Sequence, residues 1–104
     1  MTLRQFFNRI VPIYRAGRSE YFEGAGRDHT VFVSPPRRVR VFTELCDGRE
    51  ISWQRVGKHW ESPFESESLS EAERREILSK LCEYYDLIGQ KYRVLPDSPD
   101  LTNR

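Results

Sequence analysis

The sequence predicts a small α+β domain: an N-terminal helix, a four-stranded antiparallel meander, a long C-terminal amphipathic helix and a short last strand. Three observations lead there. Two segments carry apolar residues at helical spacing, the stretch between them alternates with a period of two, and Gly- or Pro-rich turns separate the alternating runs. The 104 residues leave room for one such unit, expected over residues 1–95, with a mobile polar tail at 96–104.

Leu3, Phe6, Phe7, Ile10, Val11 and Tyr14 follow the spacing of an apolar helical stripe, and Thr2 with Gln5 matches a capping box. Pro12 ends or kinks this helix near Val11, because its ring clashes with the carbonyl four residues back. So short a helix needs a surface to dock on, and its own sheet is the preferred one. Residues 20–23 and 30–33 form a first hairpin around Gly24-Ala25-Gly26-Arg27-Asp28, and Pro35-Pro36 stops the second strand. The third strand, 38–45, turns Val39, Val41, Thr43 and Leu45 to one face and Arg38 and Arg40 to the other. The fourth, 50–55, places Ile51 and Trp53 on one face. Register selects the loop that joins them. A two-residue loop at Asp47-Gly48 sets Trp53 opposite Phe42, on the face away from Val39 and Leu45. A three-residue loop, Cys46-Asp47-Gly48, pairs Thr43 with Ile51 and Val41 with Trp53, and puts Gly48 where a left-handed residue is wanted. The three-residue loop is therefore expected.

An acidic, serine-rich connector follows Trp60, and then the clearest element of the chain, a helix over 70–88. Ser70 with Glu73 forms its capping box, and Glu71, Glu73 and Glu76 place negative charge at the positive end of its dipole. Ile77, Leu78, Leu81, Tyr84, Tyr85 and Ile88 form its buried stripe and Gly89 its C-cap. Residues 91–95 read as the last strand.

The chain carries 17 Lys+Arg against 16 Asp+Glu, a formal net charge of +1. That sum hides a division. Residues 1–60 hold eleven basic and six acidic groups, a net of +5, and residues 61–104 hold six and ten, a net of −4. The balance lacks the strongly basic signature of a dedicated nucleic-acid binder, and no run of 18 apolar residues exists to span a bilayer. The N-terminus lacks the apolar stretch of a signal peptide, and two widely separated cysteines do not make a disulfide framework, so a cytoplasmic protein with free thiols is expected.

Catalytic signals are thin. His29, His59, Cys46 and Cys82 have no metal-ligand spacing, so neither a metal nor a cofactor is expected. A nucleophilic thiol at Cys46, with His59 near it, is opposed by the adjacent Asp47, and Cys82 sits on the helix as a small core residue. Gly24-Ala25-Gly26-Arg27 joins two strands and lacks Gly-Lys-Ser/Thr, so it reads as a turn, not a phosphate cradle. Glu61, Glu65 and Glu67 sit on the connector, a solvated link or bait for a basic partner.

The surface constellation is more suggestive. Arg37, Arg38 and Arg40 beside Phe42, followed by Arg55 and Trp60, interleave basic and aromatic groups, and 14 of the 17 basic residues are Arg, suited to planar recognition of carboxylate or phosphate. These six residues are the expected partner-binding set. The layout Trp60-x-x-Pro63, an acidic link, then Ser70-x-x-Glu73-Arg74-x-x-Ile77 opening a helix that ends at Gly89 resembles small uncharacterised bacterial α+β proteins, some grouped with predicted immunity proteins of polymorphic toxin systems. The resemblance implies binding and blocking of a partner protein and transfers no site residue. The sequence thus points to a non-enzymatic protein-interaction module, an inhibitor, immunity-like or regulatory binding protein, whose partner is another protein or a second copy of the chain. The alternative is a single-stranded nucleic-acid binder using the Arg-rich third strand, and no membrane contact is expected.

Overall fold

The computed structural model describes residues 20–98. The helix expected at the N-terminus lies outside the described residues. Strand pairing begins where the alternation begins. β1 (Tyr21–Gly24), β2 (His29–Ser34) and β3 (Arg37–Phe42) form an antiparallel sheet in the order β1-β2-β3. The expected first turn joins β1 to β2, closed by the Ala25 N–H donating to His29 O at 3.0 Å.

The four-stranded meander is not formed. The third strand breaks at Thr43, and its remainder, β4 (Glu44–Cys46), pairs instead with β5 (Gly48–Ile51) in a second sheet. Asp28 explains the break. Its carbonyl accepts from the Thr43 N–H at 2.8 Å and its carboxylate from the Leu45 N–H at 3.0 Å, so this first turn holds the chain at the point of departure. The Thr43 hydroxyl is meanwhile hydrogen-bonded to Thr30 Oγ1 at 3.0 Å.

The hairpin register follows the three-residue loop. Glu44 faces Glu50, Leu45 faces Arg49 and Cys46 faces Gly48, and Gly48 has φ 87. The pairing of Val41 with Trp53 does not occur. Ser52 accepts from the Gln54 N–H and caps a 3-10 turn over Trp53–Arg55, which lifts Trp53 out of the strand, so that Val56 bridges Val41 in its place. The Gly57 N–H then donates to Arg40 O at 2.9 Å and the Glu61 N–H to Arg38 O at 2.8 Å. The outer edge of β3, a row of groups that would otherwise invite pairing, is thereby covered. A Cβ on Gly57 would lie 2.8 Å from Val39 Cγ2, so only glycine admits this close approach.

α1 (Glu71–Ile88) has both halves of the expected capping box and ends at Gly89 with φ 73. Ile77, Leu81 and Tyr85 pack with Phe22, Phe32, Val39, Val41, Ile51, Val56 and Leu69 in one core, and Leu78, Tyr84 and Ile88 rest against it. Polar groups within the core are paired: Tyr85 Oη lies 3.1 Å from Thr30 Oγ1. The stripe also contains Arg74, only 9% exposed. Position 74 precedes Ile77 by one turn, so it belongs to the stripe by spacing although its residue type is charged. The last strand, β6 (Tyr92–Val94), lies parallel to β5 with Ile51 facing Val94, completing the order β4-β5-β6.

Candidate functional site

The inward turn of Val39, Val41 and Thr43 sends Arg38, Arg40, Phe42, Glu44 and Cys46 to the opposite face of β3 and β4. Phe42 is 36% exposed. His29, its cross-strand neighbour, has its ring centroid 5.5 Å away, and the Arg55 guanidinium lies 4.8 Å from the Phe42 centroid. Arg55 is held there by Glu44 Oε1 at 3.5 Å and by Glu50 O at 3.2 Å. Val31 and Val33, on the same face, are 3% exposed, whereas Phe42 and the Arg38 and Arg40 side chains on it are exposed.

Each arginine of the expected set has a carboxylate nearby. Arg37 makes a two-pronged contact with Glu67, at 2.8 and 3.0 Å, and its guanidinium lies over Phe64 at 4.6 Å. Arg38 donates to Glu23 at 2.8 Å, and Arg40 lies 3.9 Å from Glu61. The Arg37 guanidinium holds the Glu67 carboxyl below the usual carboxylate range, and Glu67 in turn raises Arg37. Glu61 and Glu67 belong to the acidic connector, so the charge division of the sequence is partly closed within the fold. Trp60 packs against the core, and its backbone N–H donates to Glu67 O at 3.1 Å. It anchors the connector and stands apart from the exposed group around Phe42.

Glu44, Cys46 and Glu50 continue the same face, with their candidate ligand atoms within 4.8 Å of one another. Glu44 already pairs with Arg55 and Glu50 with Arg93, so a cation there would have to displace two guanidinium groups. Desolvation, then Glu44 and Glu50, push the Cys46 thiol up, away from the reactive thiolate. His59 does not join Cys46; it bridges Ser68 in the connector. Burial, as the largest cause, raises the Cys82 thiol.

Sequence reasoning missed a second group, around the 3-10 turn. Arg74 donates to Val56 O at 3.1 and 2.8 Å and to Gln54 O at 2.9 Å, with its guanidinium 5.1 Å from the Trp53 ring centroid. Asp97 and Ser98, at the head of the tail expected to be mobile, bond to Trp53, Gln54 and Arg75. No protein-family model matches the chain, and neither a curated protein nor a solved structure matches it.

Proposed function

We propose that this domain is a non-enzymatic protein-interaction module whose contact surface is centred on Phe42, with Arg38, Arg40 and Arg55 around it. The observation that carries the reading is the exposed Phe42 ring, set on a strand and stacked against an arginine. Aromatic and arginine side chains held rigid at a surface are the groups that dominate protein interfaces. The carboxylates beside Arg37, Arg38 and Arg40 support a protein partner over a phosphate backbone, because a polyanion would have to displace them. Blocking a partner protein is the form of interaction that the immunity-protein resemblance implies, and pairing of two copies through this face is its simplest variant.

Comparative pull-down from the native lysate, with sedimentation of the purified chain, tests the reading using Phe42→Ala and Arg40→Glu. Both substitutions are expected to reduce partner recovery or self-association at least tenfold while thermal unfolding stays cooperative. Equal recovery with both variants would refute it. Fluorescence anisotropy with a labelled oligonucleotide at about 50 and 200 mM salt addresses the nucleic-acid alternative, for which tight binding that collapses with salt is the required result.

A further inference from the structure

We propose that Trp53, Gln54 and Arg75 form a recognition site for an extended peptide carrying an aspartate, and that the chain's own Asp97-Ser98 is its resident occupant. This site goes beyond the Phe42 surface and shares no residue with it.

Two kinds of contact make the grip. Gln54 reads main chain: its Nε2 donates to Ser98 O at 2.6 Å and its Oε1 accepts from the Ser98 N–H at 2.7 Å. A side-chain amide used in this way imitates a neighbouring strand and accepts any non-proline residue at that position. Trp53 and Arg75 read charge: Trp53 Nε1 donates to Asp97 Oδ1 at 2.9 Å and Arg75 to Asp97 Oδ2 at 2.9 Å. Both carboxylate oxygens are therefore used. The amide of an asparagine would turn a donor toward one of these donors.

The receptor groups are held by contacts that do not involve the occupant. Arg75 is fixed by Glu71 at 2.9 Å and lies over the Trp53 ring at 4.6 Å, while Arg74 lies 5.1 Å from the same ring. The Gln54 backbone is tied to Ser52 Oγ and to Arg74. The occupant approaches as an extension of β6, with the Leu95 N–H donating to Ile51 O at 2.8 Å. The Asp97 side chain is 58% exposed and that of Arg75 48%, so the ion pair exchanges readily with solvent. What keeps the occupant seated is its tether, equivalent to a local concentration on the order of millimolar. An aspartate-bearing strand from a partner competes for the same contacts once the tethered copy is weakened.

The test uses the full chain and a blocked synthetic peptide of residues 94–99, followed by calorimetric titration. Full-length Asp97→Ala is expected to bind the peptide at least tenfold more tightly than the unaltered chain does. Replacing the peptide's aspartate by asparagine, or adding Gln54→Ala to the chain, should each cost tenfold or more in affinity. No heat from Asp97→Ala with the peptide, or equal binding of the asparagine peptide, overturns the proposal. Loss of cooperative melting in Asp97→Ala also overturns it, because the segment would then be a structural part of the core. Partner capture through Phe42 is untouched by any of these variants, so the two readings fail separately.

Discussion

Arg74 is buried with no carboxylate among the described residues accepting from it, and replacing it by methionine measures what its guanidinium contributes. The side chain satisfies two backbone carbonyls, Val56 O and Gln54 O, through three contacts of 2.8 to 3.1 Å. Net hydrogen bonds to a charged group contribute about 1.5–3 kcal/mol each, so the two carbonyls together account for roughly 3–6 kcal/mol. The guanidinium over Trp53 adds about 0.5–2 kcal/mol. Against this stands the desolvation of the charge, which, opposed only in part by Glu71, holds the Arg74 pKa below its ordinary value. Methionine retains the packing of the stem and removes both the contacts and the buried charge. The expected net loss is about 3 kcal/mol, a fall in Tm of roughly 12 °C or more for a domain of this size. Arg74→Lys keeps the charge but not the fork, and about half the loss is expected. Urea titration and thermal melting, both followed by circular dichroism, read the two variants. A methionine variant within about 1 kcal/mol of the parent, where surface substitutions fall, would refute the assignment of Arg74 as the clamp between α1 and the 3-10 turn. So would a lysine variant less stable than the methionine one.

Two other predictions concern the second sheet and the acid range. Gly48→Ala combines a left-handed φ of 87 with a Cβ that would lie 2.9 Å from both Lys91 Cγ and Lys91 O, so a loss of about 2 kcal/mol or more is expected in the same urea titration. Glu67 is held below the usual carboxylate range by Arg37, and Asp97 by Trp53 and then Arg75. With folded pKa values below the unfolded ones, their stabilisation is complete above about pH 5 and is lost as pH falls through the unfolded and then the folded values. Thermal melts across the acid range should therefore show a drop that the Glu67→Gln/Asp97→Asn double variant lacks in part. Parallel acid profiles of parent and variant would contradict it.

The parts of this fold legible in the sequence are those decided by local spacing. Ser70 and Glu73 announce α1, its stripe reaches the core, and the register of the Cys46-Asp47-Gly48 hairpin follows from which face Ile51 must join. The parts that were not legible depend on contacts that hydrophobic spacing does not encode. The break at Thr43 depends on Asp28, fifteen positions away, and the exit of Trp53 on a cap by Ser52 that alternation alone does not reveal. The site divides in the same way. Phe42 and Arg55 come together because the 3-10 turn takes Arg55 out of the expected strand, and the carboxylates beside Arg37, Arg38 and Arg40 come from Glu67, Glu23 and Glu61 on other segments. The grip on Asp97 has no local signature, because its two donors, Trp53 on the 3-10 turn and Arg75 on α1, come together only when the helix docks on that turn.

The parallel pairing of β5 with β6 makes the two sheets unequal in the length of chain each must close. The first sheet needs only contacts between chain neighbours and is able to pair as soon as Phe42 is available. The second must bring Ile51 to Val94 across the connector and all of α1. Closing so long a segment carries an entropy cost that the three residue pairs of β5 and β6 repay only once the helix has docked between them in sequence. The β5–β6 pairing is thus the longest closure among the strand pairings of the described residues, whereas the β4–β5 hairpin, like the first sheet, joins chain neighbours.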